Sequence, residues 1–249
     1  MRAASRSLLL LTLPLTACGG LVGDSGDSQQ AGELRKGDVT FEMPQIGYFT
    51  WTTGTVFTLL ATQHCTGTLV GSRAVLTAGH CVGYHSADLS PWDWFQDAEF
   101  VMTAEDGSTS FTYNVDHFEN LAPEEVGDHD FALLHLDRPV TELAPLPMRP
   151  DAPATGEQTW MFGYGCNADG VRDWKKRVYS LTWGNWDDEA HRDFTCVGDS
   201  GGPTLTSGGV TMVHSGRELD GWFAGTTYGG LVWADYDELQ AIVDSWEAE

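Results

Sequence analysis

Positive charge is scarce in this chain. Its 249 residues hold 13 Lys and Arg against 36 Asp and Glu, a formal net charge of −23. So acidic a surface is repelled by DNA, RNA and anionic lipid headgroups, which excludes nucleic acid as a partner. Long apolar runs are missing as well. The chain has no stretch of 18 or more apolar residues, and so no helix of membrane-spanning character. No internal repeat of 20–50 residues is visible, which argues against a repeat architecture. What is present suits a folded body. Hydrophobic residues make up 41% and aromatics 11%, with ten Trp, enough for a sizeable core. Glycine is plentiful at 29 residues, and β-branched and aromatic residues come in short runs, a pattern that leans all-β.

The N-terminus reads as an export signal rather than as structure. Arg2 and Arg6 give a basic start, Leu8 to Leu15 is apolar but too short to cross a bilayer, and small residues follow. The run Leu15-Thr16-Ala17-Cys18 resembles a bacterial lipobox. That resemblance implies removal of residues 1–17 and lipid attachment at Cys18, with a membrane as partner through that lipid. Gly19 is unlike the Asp that retains such proteins at the inner membrane, so the expected place is the outer membrane or cell surface, with plain secretion as the alternative. Five cysteines are odd in number for an exported chain; setting Cys18 aside leaves Cys65, Cys81, Cys166 and Cys196, enough for two disulfides. Loss of Arg2 and Arg6 would leave 11 basic residues against 36 acidic, −25. Residues 18–38 are rich in Gly, Ser and Asp without apolar periodicity and read as a flexible tether. As a coil it would span roughly 25 Å. A folded domain over residues 39–249 is expected beyond it.

Within that domain short apolar runs recur: Val56–Ala61, Ala74–Ala78, Glu99–Met102, Phe131–Leu136, Thr159–Gly163, Arg177–Trp183, Val210–Val213 and Leu231–Trp233. Their length and spacing fit a sandwich or barrel better than βαβ units. The C-terminal end differs. Asp235 with Glu238 reads as a capping box, and Leu239, Ile242, Val243 and Trp246 share one helical face, so one terminal helix is predicted. Arg172, Lys175, Lys176 and Arg177 cluster and read as a solvated hairpin. The acidic stretch over residues 83–128 has oxygen ligands suited to Ca²⁺ but no recognisable ligand spacing, so no metal site is expected.

Three segments carry chemistry: Leu76-Thr77-Ala78-Gly79-His80-Cys81, Asp128-His129-Asp130-Phe131-Ala132-Leu133-Leu134 and Gly198-Asp199-Ser200-Gly201-Gly202-Pro203. A Ser hydroxyl becomes a useful nucleophile only when a base takes its proton. His is the base whose pKa suits neutral pH. A buried Asp fixes the imidazole tautomer and stabilises its charged form. The glycines beside Ser200 permit a turn in which the amides of Gly198 and Ser200 converge on an oxyanion. Asp128 is an alternative to Asp130, but the apolar run that starts at Phe131 favours Asp130. The other histidines, 64, 85, 117, 129, 135 and 191, have no comparable context and read as surface or core residues.

With these segments in this order, the chain from about residue 39 to its end resembles the trypsin/chymotrypsin-like serine proteases. The resemblance implies two six-stranded antiparallel β-barrels with a C-terminal helix, peptide hydrolysis without a cofactor, and protein or peptide substrates. It implies His80 as general base, Asp130 as orienting acid, Ser200 as nucleophile, and the Gly198 and Ser200 amides as oxyanion hole. It also implies a Cys65–Cys81 bridge that braces the His loop. Cys166 and Cys196 are then the remaining pair, a departure from animal relatives, where the Cys before the nucleophile joins a later one. A second departure concerns activation. Animal relatives free an Ile-Val-Gly-Gly amine that pairs with the Asp before the nucleophile, here Asp199; the chain reads Lys36-Gly37-Asp38-Val39-Thr40 in that region. Either another amine serves or other donors hold Asp199.

The primary pocket is read the same way. Phe194 stands where trypsin-like members carry a selecting Asp, with Asp193 one residue off. Thr195, His214, Ser215 and Arg217 are similar to the pocket of glutamate-specific members, where a hydroxyl and an imidazole bind the substrate carboxylate. Cleavage after Glu is therefore the expectation, and a preference for Arg or Lys through Asp193 the alternative. Two further classes stand against an endopeptidase: a binding or regulatory protein on the same fold, and an acyl hydrolase acting on esters.

Overall fold

The computed structural model describes residues 37–53, 61–83, 96–121, 128–184, 195–217 and 227–249. Twelve strands and two helices are assigned among them, and all lie in one unit, Ala31–Glu249. Six strands close a barrel in the order β2-β3-β4-β7-β6-β5. They are β2 (Ile46–Thr53), β3 (Ala61–Leu69), β4 (Ala74–Thr77), β5 (Gln96–Thr103), β6 (Ser110–Asn120) and β7 (Ala132–Leu136). The other six form an antiparallel sheet in the order β1-β9-β8-β10-β11-β12. These are β1 (Asp38–Val39), β8 (Gln158–Gly163), β9 (Arg177–Thr182), β10 (Pro203–Thr206), β11 (Gly209–Arg217) and β12 (Thr227–Leu231). The fold is thus mostly β with two six-stranded antiparallel sheets, as expected; the first is closed by its pairings, and the second has β1 and β12 at its edges. Helix α1 is a single turn, Gly79–Val82, and α2 spans Tyr236–Glu247.

The expected apolar runs fall on β4, β5, β7, β8, β9 and β11, and those on β4, β7 and β11 are buried throughout. Val56–Leu60, most of another run, lies outside the described residues. One core links the two sheets: Ile46, Phe49, Leu69, Val75, Phe100, Met102, Phe131 and Leu134 from the barrel side join Leu205, Val210 and Val213. Each such side chain contributes about 1.5–3 kcal/mol by leaving water. Helix α2 docks Leu239, Val243 and Trp246 into the same core, as its periodicity predicts. Its expected capping box does not form. Asp235 makes no side-chain bond to the helix amides; its Oδ2 instead meets His129 Nδ1 at 2.8 Å.

Only half of the basic cluster is solvated as expected: Arg172 and Lys175 are exposed, whereas the other two cations are not. Lys176 and Arg177 are buried. Lys176 Nζ donates to the carbonyls of Met43 and Ile46 at 2.7 and 3.3 Å, and burial lowers its pKa to about 8. Arg177 grips Asp173 with two nitrogens at 2.9 and 2.6 Å. With the Lys175 carbonyl, which accepts from Arg177 at 3.2 Å, three carbonyls and one carboxylate replace the water these cations give up.

Candidate active site

His80 sits on the one-turn helix α1, directly after β4. Three bonds fix it. Cys81, its neighbour, is bridged to Cys65 on β3. Its backbone N–H donates to Asp130 Oδ1 at 2.8 Å, and its Nδ1 meets Asp130 Oδ2 at 2.6 Å. Asp130 lies just before β7 and is wholly buried, so its charge rests on these donors and on the Ser215 hydroxyl, which donates to Oδ2. A buried carboxylate without such partners would be strongly penalised. Asp128, the alternative acid, is exposed. With Nδ1 held by Asp130, Nε2 is the nitrogen left to exchange a proton, and the His80 side chain keeps 23% of its surface open to solvent.

The second half of the site is the turn over Cys196–Gly202. Asp199 N bonds to the Cys196 carbonyl at 3.0 Å and Gly202 N to the Asp199 carbonyl at 2.9 Å. Gly198 and Gly201 hold φ of +105° and +80°, a region that favours glycine. The barrel and the second sheet clamp the turn from either side. From β3, Thr66 N donates to the Ser200 carbonyl at 2.8 Å and Thr66 Oγ1 to the Gly198 carbonyl at 2.7 Å. From β11, His214 exchanges backbone bonds with Gly201 and Gly202, each 2.8 Å. Among the described residues, the amides of Gly198 and Ser200 donate to no protein acceptor.

Under the turn lies Asp199, also fully buried. Its two oxygens accept from the amides of Gly165 and Cys196, both at 2.8 Å. These are the other donors left open by the missing amine motif. Gly165 leaves no room for a side chain, since a Cβ there would stand 2.3 Å from Asp199 Oδ2. Burial pushes the Asp199 pKa up to about 7, while the two amides and the Arg177 charge pull the other way. Cys166 and Cys196 are bridged, tying the Gly165 loop to the Ser200 turn.

The pocket residues divide. Thr195, His214 and Ser215 are buried near the turn. The Ser215 hydroxyl is committed to Asp130. Phe194, Asp193 and the side chain of Arg217 lie outside the described residues. Sequence reasoning missed three contributors. Thr66 has no motif to mark it. Asn120 donates from β6 to the carbonyls of Gly79 and Gly83 at 3.2 and 2.9 Å, bracing α1. His64, read as a surface or core residue, is buried beside Gly198, where a Cβ would come within 2.3 Å of its Nε2. Burial, then the charge of Arg172, lowers the His64 pKa to about 4. Cys65, His80 and Cys81 also bring ligand atoms together, but both sulfurs are consumed by the disulfide.

The trypsin family model matches residues 39–229. The chain belongs to the trypsin family. Its activity class is that of a serine-type endopeptidase, a hydrolase. No curated protein matches it in sequence. Solved structures share the fold. A thermostable serine protease from an extremophilic microorganism superposes with TM-score 0.63 at 16% identity, covering 82% of this chain and 99% of that one. A scabies mite inactivated protease paralogue gives 0.62 at 20% identity, covering 84% and 99%. Neuropsin, a serine protease expressed in mouse brain, gives 0.58 at 18% identity, covering 83% and 97%.

Proposed function

We propose that this trypsin-family chain hydrolyses peptide bonds through a triad of Ser200, His80 and Asp130. The observation that carries the reading is the buried Asp130 carboxylate, bonded to both the backbone and Nδ1 of His80. Ser200 Oγ attacks the scissile carbonyl as His80 Nε2 takes its proton. The charge on the imidazolium is stabilised by Asp130, and the oxyanion by the Gly198 and Ser200 amides. His80 then protonates the leaving amine, and water clears the acyl-enzyme by the same steps in reverse. Two rigid sheets position the groups, so little ordering is left for the reaction itself.

The burial of Thr195, which directly precedes the Ser200 turn in sequence, and of His214, bonded to that turn through its backbone, supports a preference for Glu at the cleavage site, with Arg217 as a further cation of the sequence. The net charge of −23 opposes acidic substrates at long range, but that field is screened beyond about 8 Å, so local donors decide. The basic start, short apolar run and lipobox-like Leu15-Thr16-Ala17-Cys18 support export and lipid attachment at Cys18, with residues 18–38 as tether and 39–249 as protease domain.

A fluorophosphonate probe tests the triad. It should label wild type and inhibit casein digestion, and Ser200→Ala should lose both label and activity; digestion retained in Ser200→Ala sinks the proposal. Ester hydrolysis without casein digestion would point to an acyl hydrolase instead. A peptide library reads specificity: cleavage after Glu should collapse in His214→Ala, and cleavage only after Arg or Lys removes the glutamate reading. Cys18→Ser should move the protein from the membrane to the soluble fraction, and an equally soluble wild type rules tethering out.

A further inference from the structure

We propose that Asp116, His117 and His135 bind a divalent transition-metal ion of the zinc class, with Glu249 as an outer carboxylate. The site is distinct from the triad and sits where β6, β7 and the end of the chain after α2 meet. On β6, His117 pairs with His135 of β7 and Val115 with Leu136, leaving Asp116 as one extra residue. Successive residues of a regular strand face opposite ways; a bulge re-aims one of them. Here Asp116 and His117 both reach His135. Asp116 Oδ1 lies 2.8 Å from His117 Nδ1 and 2.6 Å from His135 Nδ1. The two imidazoles stack with centroids 4.2 Å apart at 25°. Trp246 of α2 sets its ring edge-on to both, at 5.3 and 5.1 Å. One ligand atom from each of the three groups lies within 4.8 Å of the other two.

The protons show what this arrangement lacks. Two Nδ1 atoms on one carboxylate oxygen must each carry a proton, so each neutral ring presents a bare lone pair at Nε2. The His135 side chain is only 3% exposed, its Nε2 has no hydrogen-bond partner, and Glu249 Oε2 stands 3.7 Å from it. A buried acceptor facing a carboxylate is left unsatisfied. A metal ion bound by both Nδ1 atoms and Asp116 Oδ1 reverses this. Each ring keeps one proton, which moves from Nδ1 to Nε2, and His135 then donates towards Glu249. This is the carboxylate–histidine–metal arrangement that orients ligands in metal sites.

The donor set selects the ion. Two imidazoles and one carboxylate suit zinc and its first-row neighbours, whereas Ca²⁺ and Mg²⁺ demand oxygen. Bonds of about 2.0–2.1 Å at tetrahedral angles hold ligands about 3.3 Å apart, so these groups must part by roughly half an ångström. His117 and Asp116 side chains are 48% and 46% exposed, which gives the ion a path in and leaves its fourth position to water. The sequence shows no metal-ligand spacing because the ligands come from paired strands.

The test is titration of the chelator-treated full chain with Zn²⁺ by calorimetry and with Co²⁺ by visible absorption. One ion per chain and the absorption bands of a four-coordinate Co²⁺ are expected. His117→Ala and Asp116→Asn should each abolish both signals, and Glu249→Gln should weaken Zn²⁺ binding roughly tenfold. His129→Ala and His80→Ala should bind as wild type does. Absence of binding overturns the proposal. So does an ion that persists in His117→Ala and Asp116→Asn, since it then sits elsewhere.

Discussion

Replacing Asp199 with Asn exposes the cost of the carboxylate beneath the Ser200 turn. Burial raises the native pKa to about 7 from 3.8, against the pull of the Cys196 and Gly165 amides and of Arg177. An acid whose native pKa is the higher one holds more protons folded than unfolded between the two values. Stability therefore falls as pH rises from about 4 to about 7. The full difference is on the order of 4 kcal/mol, and about 3 kcal/mol of it falls between about pH 4.5 and about pH 8. His64 works in the opposite direction. Its native pKa lies at about 4, below its ordinary 6.5, so its contribution to stability is lost as pH falls through that interval. The two slopes oppose each other in wild type, so the informative quantity is the difference between wild type and Asp199→Asn, in which His64 cancels. Asn also turns an NH₂ towards one of two donor amides, a loss of about 1–3 kcal/mol that does not vary with pH. Urea unfolding across this range should show wild type losing about 3 kcal/mol relative to the variant as pH rises. Parallel curves would refute the raised pKa. A reversed slope would mean that a cation, such as a freed amine, pairs with Asp199.

Four further variants test the frame around the proposed triad. Asp130→Asn should leave the fold intact but lower kcat by roughly 10⁴, measured on a peptide substrate, because the imidazole loses its tautomer and its counter-charge. Ser215→Ala removes one donor from Asp130 and should cost about 1–3 kcal/mol in urea unfolding, with a lower kcat and little change in KM. Opening the Cys166–Cys196 bridge with paired Ser substitutions frees a separation of 30 residues and should cost roughly 3–4 kcal/mol, read as a lower Tm. Gly165→Ala places a Cβ 2.3 Å from Asp199 Oδ2 and should destabilise by about 1–3 kcal/mol through overpacking, whereas an unchanged Tm would mean the loop can move aside.

What the sequence makes legible follows from where each signal resides. His80, Asp130 and Ser200 stand in local motifs because each needs special backbone beside it: a one-turn helix, a strand start, a glycine turn. Strands β4, β7 and β8 are legible because they bury most of their residues and read as apolar runs. Strand β6 is not, since its eleven residues alternate with few buried positions and carry Asp116, His117 and Glu119. Nor is β3, whose Thr66 and Thr68 are buried polar residues. Thr66 explains why such a residue escapes local reading. It takes a bond from Tyr164 N at 3.0 Å and gives one to the Gly198 carbonyl, two partners 98 and 132 residues away. A hydroxyl that links three distant segments has no periodicity and no motif. It becomes visible only once the barrel and the second sheet are placed against each other. Asn120 and the Asp116–His117–His135 cluster are hidden for the same reason, since strand pairing creates them. The proposed triad is therefore local in sequence, whereas the residues that hold it in place are products of topology.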